Sequence, residues 1–473
     1  MKKALTYIAI ICLPLLSIAQ TGNNRLLEEY LELFSEKEDY SSDENEILET
    51  LQYYIENKIN LNDTENNNLT DLFFVEQYHI NAIRSYIQQY GQMLSINELY
   101  LINRIDSSTV SLMLPFVKVE KVKPEQKTSF HDMVKDGKHS IIIGSKTILE
   151  KSKGYIDSTY LGSPCRLYFK YQYKYKDKLL LSFSGDKDPG EELFKGTQKQ
   201  GFDHYGFSLM INDIGIVKRL VIGNYNIQLG QGLCIWNSSG LNFWVNSNAQ
   251  KHGRTIKNAG AFTESNYLKG IASEIRIAPK ISLTTFASYS KRDASFEYNN
   301  DNDIIYHSFY TSGYHRTTNE YSKKDNITET IGGGSLKYQS NNLSIALNGY
   351  YQHLSDSIIP KENFYNQHYF KGQSNYNMTL DISYLYRNIL FFGETAFDCN
   401  LSNASIIGSQ IHLHNSTLTT YYRHYAIDYQ NMYANALGQN SGVQNEQGLA
   451  SMLSCRLPRN IIATASIDVF KFP

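Results

Sequence analysis

Hydrophobic and polar side chains alternate along much of the chain, most regularly between residues 166 and 184. The odd-numbered positions from 167 to 175 are apolar or aromatic. The even-numbered positions of this stretch include three polar residues, Lys170, Gln172 and Lys174. Because a strand turns successive side chains to opposite faces, the segment predicts a strand with one aromatic and one polar face. A turn at Lys176-Asp177 then leads directly into a second strand.

Similar alternation recurs to the end of the chain and predicts about fifteen strands. They lie at residues 138–149, 166–175, 178–185, 204–212, 217–228, 268–277, 281–291, 333–340, 342–352, 378–386, 389–398, 405–414, 416–426, 449–457 and 460–471. At 342–352, for example, Leu347 and Tyr351 fall on one face, and Asn348 and Gln352 fall on the other.

The connections between these strands alternate between short and long. Tight turns are predicted near Asp177, Gly215, Pro279, Asn341, Asn388, Asn415 and Arg459. Polar loops are predicted at 150–165, 186–203, 229–267, 292–332, 353–377 and 427–448, with a shorter one at 399–404. This order is typical of an outer-membrane β-barrel, whose periplasmic turns are tight and whose extracellular loops are extended. In a soluble sandwich the apolar faces would instead meet in a shared core.

We therefore expect a mainly β chain, in which an antiparallel transmembrane β-barrel of about 16 or more strands follows a small all-α domain. Single-chain bacterial barrels have an even number of strands. An odd count that ends on an upward strand predicts either that the sequence is incomplete at its C-terminus or that the count is wrong by one.

The alternation also predicts which polar residues face the lumen: Lys170, Gln172, Lys174, Asn224, Asn226, Gln228, Asp381 and Glu394. These residues either line a polar channel or fill the lumen with a fixed hydrogen-bonded network, and the sequence leaves both open. No nucleophile motif, metal-ligand spacing or phosphate loop stands out. We expect no catalytic residue, cofactor or metal, and a barrel hydrolase is a minor alternative.

The N-terminus predicts export from the cytoplasm. Lys2 and Lys3 precede an apolar run that ends in Ser17-Ile18-Ala19, which is the pattern of a signal peptide over residues 1–19. The 37 Tyr and 22 Phe of the chain suit the aromatic girdles of a membrane protein. The predicted location is the outer membrane, with lipid as a partner. The N-terminal domain would lie in the periplasm because it enters the first strand from the short-turn side.

Charge separates a helical domain at 20–117 from the barrel at 138–473, with a linker at 118–137. Residues 20–123 hold 8 Lys and Arg against 18 Asp and Glu. Helices are predicted at 24–36 and 45–57, followed by two helix-turn-helix halves from 69 to 117. Their turns are predicted at Tyr78-His79-Ile80 and Arg104-Ile105-Asp106. Two helix starts are predicted as well, a capping box of Ser95 with Glu98 and a cap at Ser107.

This segment resembles the paired helix-hairpin-helix module of competence DNA-receptor proteins. The resemblance rests on the apolar spacing, on Tyr90-Gly91, on residues 95–99 and on residues 114–117. In that family a Gly-x-Gly turn presents backbone amides to a DNA phosphate. Both turns of this chain lack the glycines, and the domain is acidic, so nucleic acid is not an expected partner. A DNA-binding or DNA-uptake protein is the alternative reading.

The stretch GNYNIQLGQGLCIW, from Gly223 to Trp236, carries a second resemblance. Together with the helical module it is similar to large Gram-negative envelope proteins that join a degenerate helix-hairpin-helix region to a β-barrel. The resemblance implies the fold and the location. We expect envelope transport or a docking and scaffold role, with a periplasmic or envelope protein as partner.

Four cysteines remain after signal cleavage: Cys165, Cys234, Cys399 and Cys455. The strand assignment places the first three towards one rim of the barrel. A secreted protein can form disulfides, but scattered single cysteines favour unpaired thiols.

Overall fold

The structure is a computed structural model. It describes residues 51–63, 68–72, 74–75, 77–102, 105–121, 130–237, 250–251, 253–259, 262, 264–361, 363, 366–413, 415–440, 442–457 and 461–473. The predicted signal peptide and the helix predicted at 24–36 lie outside these residues.

The N-terminal domain is a small helical unit. Its helices are α1 (residues 51–56), α2 (Gln77–Tyr90) and α3 (Ser107–Met113), with 3-10 turns at Leu69–Asp71 and Ile96–Leu101. Two short parallel strands, β1 (Ile59–Asn60) and β2 (Val117–Lys118), join its ends. Its core is a cluster of buried apolar residues that includes Leu51, Leu69, Leu72, Ile83, Leu99, Val110 and Phe116. Among the described residues, no helix is long and apolar enough to cross a membrane.

Two helix starts in this domain differ from the prediction. The turn predicted at Tyr78-His79-Ile80 is wrong, because these residues lie in the first turn of α2. Asp106, rather than Ser107, caps α3, since its carboxylate accepts a hydrogen bond from the Thr109 amide at 2.8 Å. A carboxylate one residue ahead of the helix reaches this amide.

The capping box is confirmed. Ser95 accepts from a backbone amide of the following turn, and Glu98 accepts from the Ser95 amide at 3.0 Å.

The segment predicted as a linker contains a helix, α4 (Phe130–Lys135). Met133 on this helix is buried against Tyr173 of the barrel wall. The Tyr173 hydroxyl lies 2.8 Å from the Met133 carbonyl and accepts from the Gly137 amide at 2.9 Å. The prediction missed α4 because six residues are too few for a helical period to show against the surrounding lysines.

Among the described residues, fifteen long strands form the barrel wall, one for each predicted strand. They are β3 (Lys138–Thr147), β4 (Cys165–Tyr175), β5 (Leu179–Lys187), β6 (His204–Ile214), β7 (Val217–Ile227), β9 (Leu268–Ala278), β10 (Ile281–Arg292), β13 (Ile327–Gln339), β14 (Leu343–Ile358), β15 (Gly372–Tyr386), β16 (Ile389–Asp398), β17 (Asn403–His412), β18 (Ser416–Tyr425), β19 (Glu446–Leu457) and β20 (Ile461–Lys471). Three short strands lie in loops: β8 (Ile256–Asn258), β11 (Ala294–Tyr298) and β12 (Ile304–Phe309). Two short helices also lie in loops, α5 (Lys153–Ile156) and α6 (Thr318–Tyr321).

The long strands form one antiparallel sheet that curves into a barrel. Each pairs with the next long strand along the chain, so β7 pairs with β9 and β10 pairs with β13 across the loops that contain the short strands. The predicted short turns that lie in described residues are present, with positive φ at Lys176, Asp213 and Arg387, and the one predicted near Arg459 lies outside the described residues. We call the rim that carries them the short-turn end and the opposite rim the long-loop end.

Three strands extend further than predicted towards the long-loop end. Strands β13, β14 and β15 include residues 327–332, 353–358 and 372–377, which the sequence analysis assigned to loops. Polar residues are frequent there, yet Leu354 and Ile358 are buried and continue the inward alternation. The wall therefore stands higher on this side.

The two faces of the wall differ sharply in polarity. Along β15 the inward positions are polar and at most 8% exposed: Asn375, Asn377, Thr379 and Asp381. The outward positions are apolar or aromatic and 41% to 52% exposed: Tyr376, Met378, Leu380, Ile382 and Tyr384. A water-soluble protein buries such residues, whereas a barrel in lipid turns them outward. The chain therefore has the inside-out polarity of a transmembrane β-barrel.

An arginine on this outer face should lower the stability of the folded barrel only if hydrocarbon surrounds that face. Leu347 is 51% exposed and lies in register between Leu336 and Leu380, which are also outward. We expect Leu347→Arg to lower the stability of the folded barrel in lipid vesicles by about 2–4 kcal/mol, the cost of a cation near the bilayer midplane. The measurement is unfolding by denaturant, with the folded fraction determined at each concentration from heat-modifiable gel migration.

Leu401→Arg is the matched control, because Leu401 is 75% exposed in the turn between β16 and β17 at the long-loop end. Equal stability losses for the two variants would contradict the membrane assignment of the band.

Candidate functional site: the plugged lumen

Strand β7 continues into the lumen instead of ending at the rim. Residues 228–237 begin the first plug loop, a name that we use for the described residues between 228 and 267. Leu233, Cys234 and Ile235 are fully buried, and Trp236 is 5% exposed. This is the second half of the stretch singled out by its resemblance to envelope barrels. Cys234 therefore lies inside the barrel, and its predicted position at a rim is wrong.

A single carboxylate of the wall holds the tip of this loop. Glu394 on β16 accepts hydrogen bonds from the Gln231 amide at 2.7 Å and from the Leu233 amide at 3.0 Å. Gly230 and Gly232 flank this tip with φ of 57° and 89°. A Cβ on Gly232 would lie 2.1 Å from the Asn435 carbonyl oxygen. The Gly-Gln-Gly sequence is thus required by a positive φ and by close packing.

The second plug loop, residues 426–445, packs on the first. Asn431 donates to the carbonyls of Leu233 and Cys234 at 2.8 and 2.7 Å. Tyr433 donates its hydroxyl to Glu329 of β13 at 2.7 Å, and its carbonyl accepts from the Trp236 amide at 2.8 Å. The two loops and the wall share apolar clusters whose buried members include Tyr225, Phe286, Ile331, Tyr350, Phe392, Ile406 and Tyr429. Protein, rather than an open channel, fills this level of the lumen.

The eight predicted lumen residues occupy different surroundings. Five are buried, with at most 8% exposure: Lys170, Asn224, Asn226, Asp381 and Glu394. Asn226 contacts Asn237 of the first plug loop. Gln228 and Asp381 line a polar cavity described below. Gln172 is half-buried, and the Lys174 ammonium lies over the ring of Tyr53 in the N-terminal domain.

Other inward charged residues were missed by the sequence analysis. Arg423 on β18 is fully buried and binds Asp468 on β20 with nitrogen–oxygen distances of 2.9 and 2.8 Å, as well as Glu446. Its position follows from the alternation along β18, which the analysis did not extend to this strand. Glu329 was missed because the predicted strand starts at residue 333, six residues after the observed start of β13 at Ile327.

The N-terminal domain covers the short-turn end of the barrel. Tyr78 stacks on His412 with ring centroids 3.9 Å apart, and it packs against Leu385 and Leu390. Around the rim Gln88 accepts from Asn341 at 3.1 Å. These contacts involve the ends of three different hairpins.

One contact joins this domain to the plug rather than to the wall. Arg254 of the first plug loop binds Asp71, and its Nη2 lies 3.1 Å from the Tyr54 hydroxyl. The Asp71 side chain is only 1% exposed. The plug and the N-terminal domain are therefore connected directly through a buried ion pair.

The residues predicted as degenerate hairpin turns are not available to a DNA backbone. Tyr78, His79 and Ile80 are buried, at 5%, 7% and 1% exposure. Ile105 is also buried, and Asp106 is engaged as the cap of α3. Arg104 lies outside the described residues.

A compact charged cluster lies at the long-loop end. His315 donates its Nδ1 to Asp203 at 2.6 Å and its Nε2 to Asp293 at 2.8 Å. Burial alone would lower the pKa of His315, but the two hydrogen bonds outweigh burial and raise the pKa to about 9. Burial raises the pKa of Glu191 to about 7 and that of Glu264 to about 9.

Glu191, Asp203 and His315 bring three possible ligand atoms within 4.8 Å of one another. A metal would need a ring nitrogen of His315 with a free lone pair. Both ring nitrogens face carboxylates instead, so the cluster fits an ion network better than a metal centre. The four cysteines among the described residues are free thiols.

The fold and its lumen define a transmembrane-type β-barrel that is filled by two of its own loops and covered at one end by its N-terminal domain. No family model and no curated protein matches the chain. Among solved structures it is similar to the anion-selective porin from Comamonas acidovorans, at 10% identity and a TM-score of 0.31, covering 65% of this chain and 78% of the porin.

Two further structures show the same level of similarity. OpdQ from Pseudomonas aeruginosa is 13% identical with a TM-score of 0.35, covering 69% of this chain and 78% of OpdQ. The Escherichia coli outer-membrane protein Wzi, a carbohydrate-binding β-barrel involved in group 1 capsule assembly, is 11% identical with a TM-score of 0.32, covering 71% of this chain and 70% of Wzi.

Loss of the Glu394 carboxylate should loosen the first plug loop. Glu394→Ala leaves the buried amides of Gln231 and Leu233 without their acceptor, which costs about 1–3 kcal/mol for each unsatisfied group. We expect the peptide that covers 228–237 to exchange its amide hydrogens at least tenfold faster, as measured by mass spectrometry. Asp428→Ala removes an exposed carboxylate of the second plug loop as a control, and equal protection in both variants would contradict the role of Glu394.

The long-loop end should weaken as the pH rises. The ordinary pKa of a histidine is 6.5, whereas the pKa of His315 in the folded protein is about 9. The stabilisation from its positive charge is therefore complete below pH 6.5 and is lost as the pH passes about 9. The pKa values of Glu191 and Glu264 are raised as well. The stability that each contributes in its protonated form is therefore also lost as the pH rises, through about pH 7 for Glu191 and about pH 9 for Glu264. We expect slower protease cleavage of these loops at pH 6 than at pH 9.

His315→Gln should remove a large part of that pH dependence, whereas His368→Gln, at an exposed loop histidine, should leave it unchanged. Cleavage rates that are independent of pH in the wild type would show that the cluster does not hold the loops.

Proposed function

We propose that this protein is an outer-membrane β-barrel of a Gram-negative envelope that is closed at rest and serves gated transport, with its N-terminal domain as the periplasmic element of the gate. It supplies passage and its control, and it catalyses no reaction.

The outward band of apolar residues supports the membrane location. Leu336, Leu347 and Leu380 form one outward row of the wall. Transfer of such apolar surface from water to hydrocarbon is favourable by roughly 25 cal/mol per Å². Short turns face the periplasm in barrels of this kind. The N-terminal domain, which lies at that end, would therefore be periplasmic and accessible to a protein partner there.

The observation that carries the gating proposal is the contact between Arg254 and Asp71. Arg254 belongs to the loop that fills the lumen, whereas Asp71 belongs to the domain that covers its mouth. A partner that displaces the domain must break this buried pair or move the plug with it. The Asp71 side chain is buried and that of Arg254 is 24% exposed, so separation of the pair costs at most about 3–5 kcal/mol and couples the two movements.

The packed lumen argues against a permanently open pore. Cys234 and Ile235 are fully buried in an apolar cluster shared with the wall. Displacement of such side chains into water costs about 1.5–3 kcal/mol each. Thermal fluctuation alone would rarely expel the plug, so an external action on the domain would be needed for passage.

The test is conductance in planar lipid bilayers. We expect the wild type to show no steady current, because both the plug and the N-terminal domain close the lumen. The double variant with Arg254→Ala and Glu394→Ala lacks the link to the domain and the anchor of the plug tip. It should show bursts of current.

The control double variant, with Lys151→Ala and Asp428→Ala, removes a cation and a carboxylate from exposed loop positions. Steady current through the wild type, or a double variant as closed as this control, would contradict the proposal.

A further inference from the structure

A polar cavity of about 240 Å³ lies between the plug, the wall and the N-terminal domain. Its charged lining residues are six cations and four carboxylates: Arg84, Lys218, Arg219, Lys251, Arg254 and Lys337, with Asp177, Asp213, Glu274 and Asp381. The lining therefore carries two more positive than negative charges. Cavities of roughly 300–1,000 Å³ hold drug-sized ligands, so this one suits something smaller.

Three of the six cations have a carboxylate at hand. Lys218 binds Glu274 at 2.7 Å, and Arg254 binds Asp71 of the N-terminal domain. Lys337 interacts with the Asp381 carboxylate. These pairs neutralise part of the charge of the lining, and Lys337 also lies within reach of the positive charges of Lys218 and Arg84.

Arg84 differs from the others. It lies on α2 of the N-terminal domain and lines the cavity. The side chain is partly buried, and within the described part of the chain its buried Nε has no hydrogen-bond partner. Burial lowers the pKa of the Arg84 guanidinium, as expected of a cation removed from water without compensation.

A second cation, Lys337, lines the same cavity as Arg84. Lys337 on β13 feels the positive charges of both Arg84 and Lys218. Like charges brought together in a partly desolvated space repel, and a buried arginine without an acceptor is costly. An anion between them would relieve both costs, and Ser335, which is 4% exposed and also lines the cavity, offers a hydroxyl donor.

We propose that this cavity binds a small oxyanion, of the phosphate, sulfate or carboxylate class, between Arg84 of the N-terminal domain and Lys337 of the barrel wall. The guanidinium supplies paired N–H donors that match two oxygens of such a group. The Lys337 ammonium supplies a second positive charge from the barrel wall. The anion fastens the domain to the barrel, because its two cationic partners belong to different parts of the chain.

The inference goes beyond gated transport and rests only on the position of the domain over the mouth of the barrel. Anion binding is measured on the closed protein without any current. A failure of the conductance experiment therefore would not contradict anion binding, and an absence of anion binding would not contradict gated transport.

The experiment uses the full chain in detergent micelles and inorganic phosphate as the probe. Calorimetric titration at constant ionic strength, with sodium chloride replaced by sodium phosphate, should show saturable binding of about one anion per chain. The thermal unfolding midpoint should rise with phosphate concentration, as mass action requires for a ligand of the folded state. Sulfate and acetate at the same ionic strength distinguish the oxyanion classes.

Two variants at Arg84 and one control complete the design. Arg84→Gln should weaken phosphate binding at least tenfold, while its unfolding midpoint without phosphate stays equal to or above that of the wild type, since an uncompensated buried cation has been removed. Arg84→Lys should retain weaker binding because it keeps the charge and loses the paired donors. Lys121→Gln removes an exposed cation of the same domain and should bind phosphate like the wild type.

Absence of saturable phosphate binding to the wild type would overturn the proposal. Equal weakening by Arg84→Gln and Lys121→Gln would also overturn it, because that result would reflect general charge screening. Full binding by Arg84→Gln would place the anion elsewhere.

Discussion

The whole structure depends on one constraint, namely that the wall turns its apolar side chains outward and so leaves polar ones to line the lumen. A polar group enclosed in protein is costly unless it has a hydrogen-bond partner. In a barrel of this width, water or protein must supply those partners. Here much of the supply comes from the backbone of the plug loops, because Glu394 of the wall accepts from amides of the first loop and Asn375 of the wall donates to the Gln430 carbonyl of the second. The plug loops are thus held by the groups that the membrane arrangement forces inward.

The lumen is nevertheless not uniformly polar, and the inward apolar side chains of the wall lie at the level of the plug. Phe286 on β10 and Ile331 on β13 point inward and are at most 4% exposed, in the cluster that also contains Cys234 and Ile235. Inward apolar side chains would be unfavourable against water. They are stabilised because the plug brings its own apolar residues to the same level. The breaks in alternation along the wall therefore mark where the loops pack.

Much of this fold was predictable, because a barrel strand has a local signature. Each of the fifteen predicted strands corresponds to an observed one, and the faces of β14 and β15 follow the period of two. The errors lie where local pattern is weak. Helix α4 is too short to show a period, and the ends of β13 to β15 are rich in polar residues. The start of α2 was assigned to a turn by analogy with a glycine-containing family whose glycines this chain lacks.

The site was less predictable, for a different physical reason. The Gly-Gln-Gly tip is visible in the sequence, but its meaning depends on Glu394, which is 163 positions away. The link from Arg254 to Asp71 spans 183 positions. No periodicity carries such information, since it arises only when the strands have placed both partners inside one barrel.

These long-range contacts also set the order in which the closed state can open. Apolar packing at the level of Cys234 is the larger part of what holds the plug, at about 1.5–3 kcal/mol for each fully buried side chain. The hydrogen bonds to Glu394 add about 0.5–1.5 kcal/mol each, the usual net contribution of a hydrogen bond inside a protein. The ion pair at Arg254 stabilises the plug only while the N-terminal domain stays in place. Removal of the domain therefore lowers the barrier to opening without abolishing it, and the plug must still be drawn from its apolar surroundings. Under the proposed gating, such a plug would respond to a force applied from the short-turn end and would stay shut against solutes that arrive from the long-loop end.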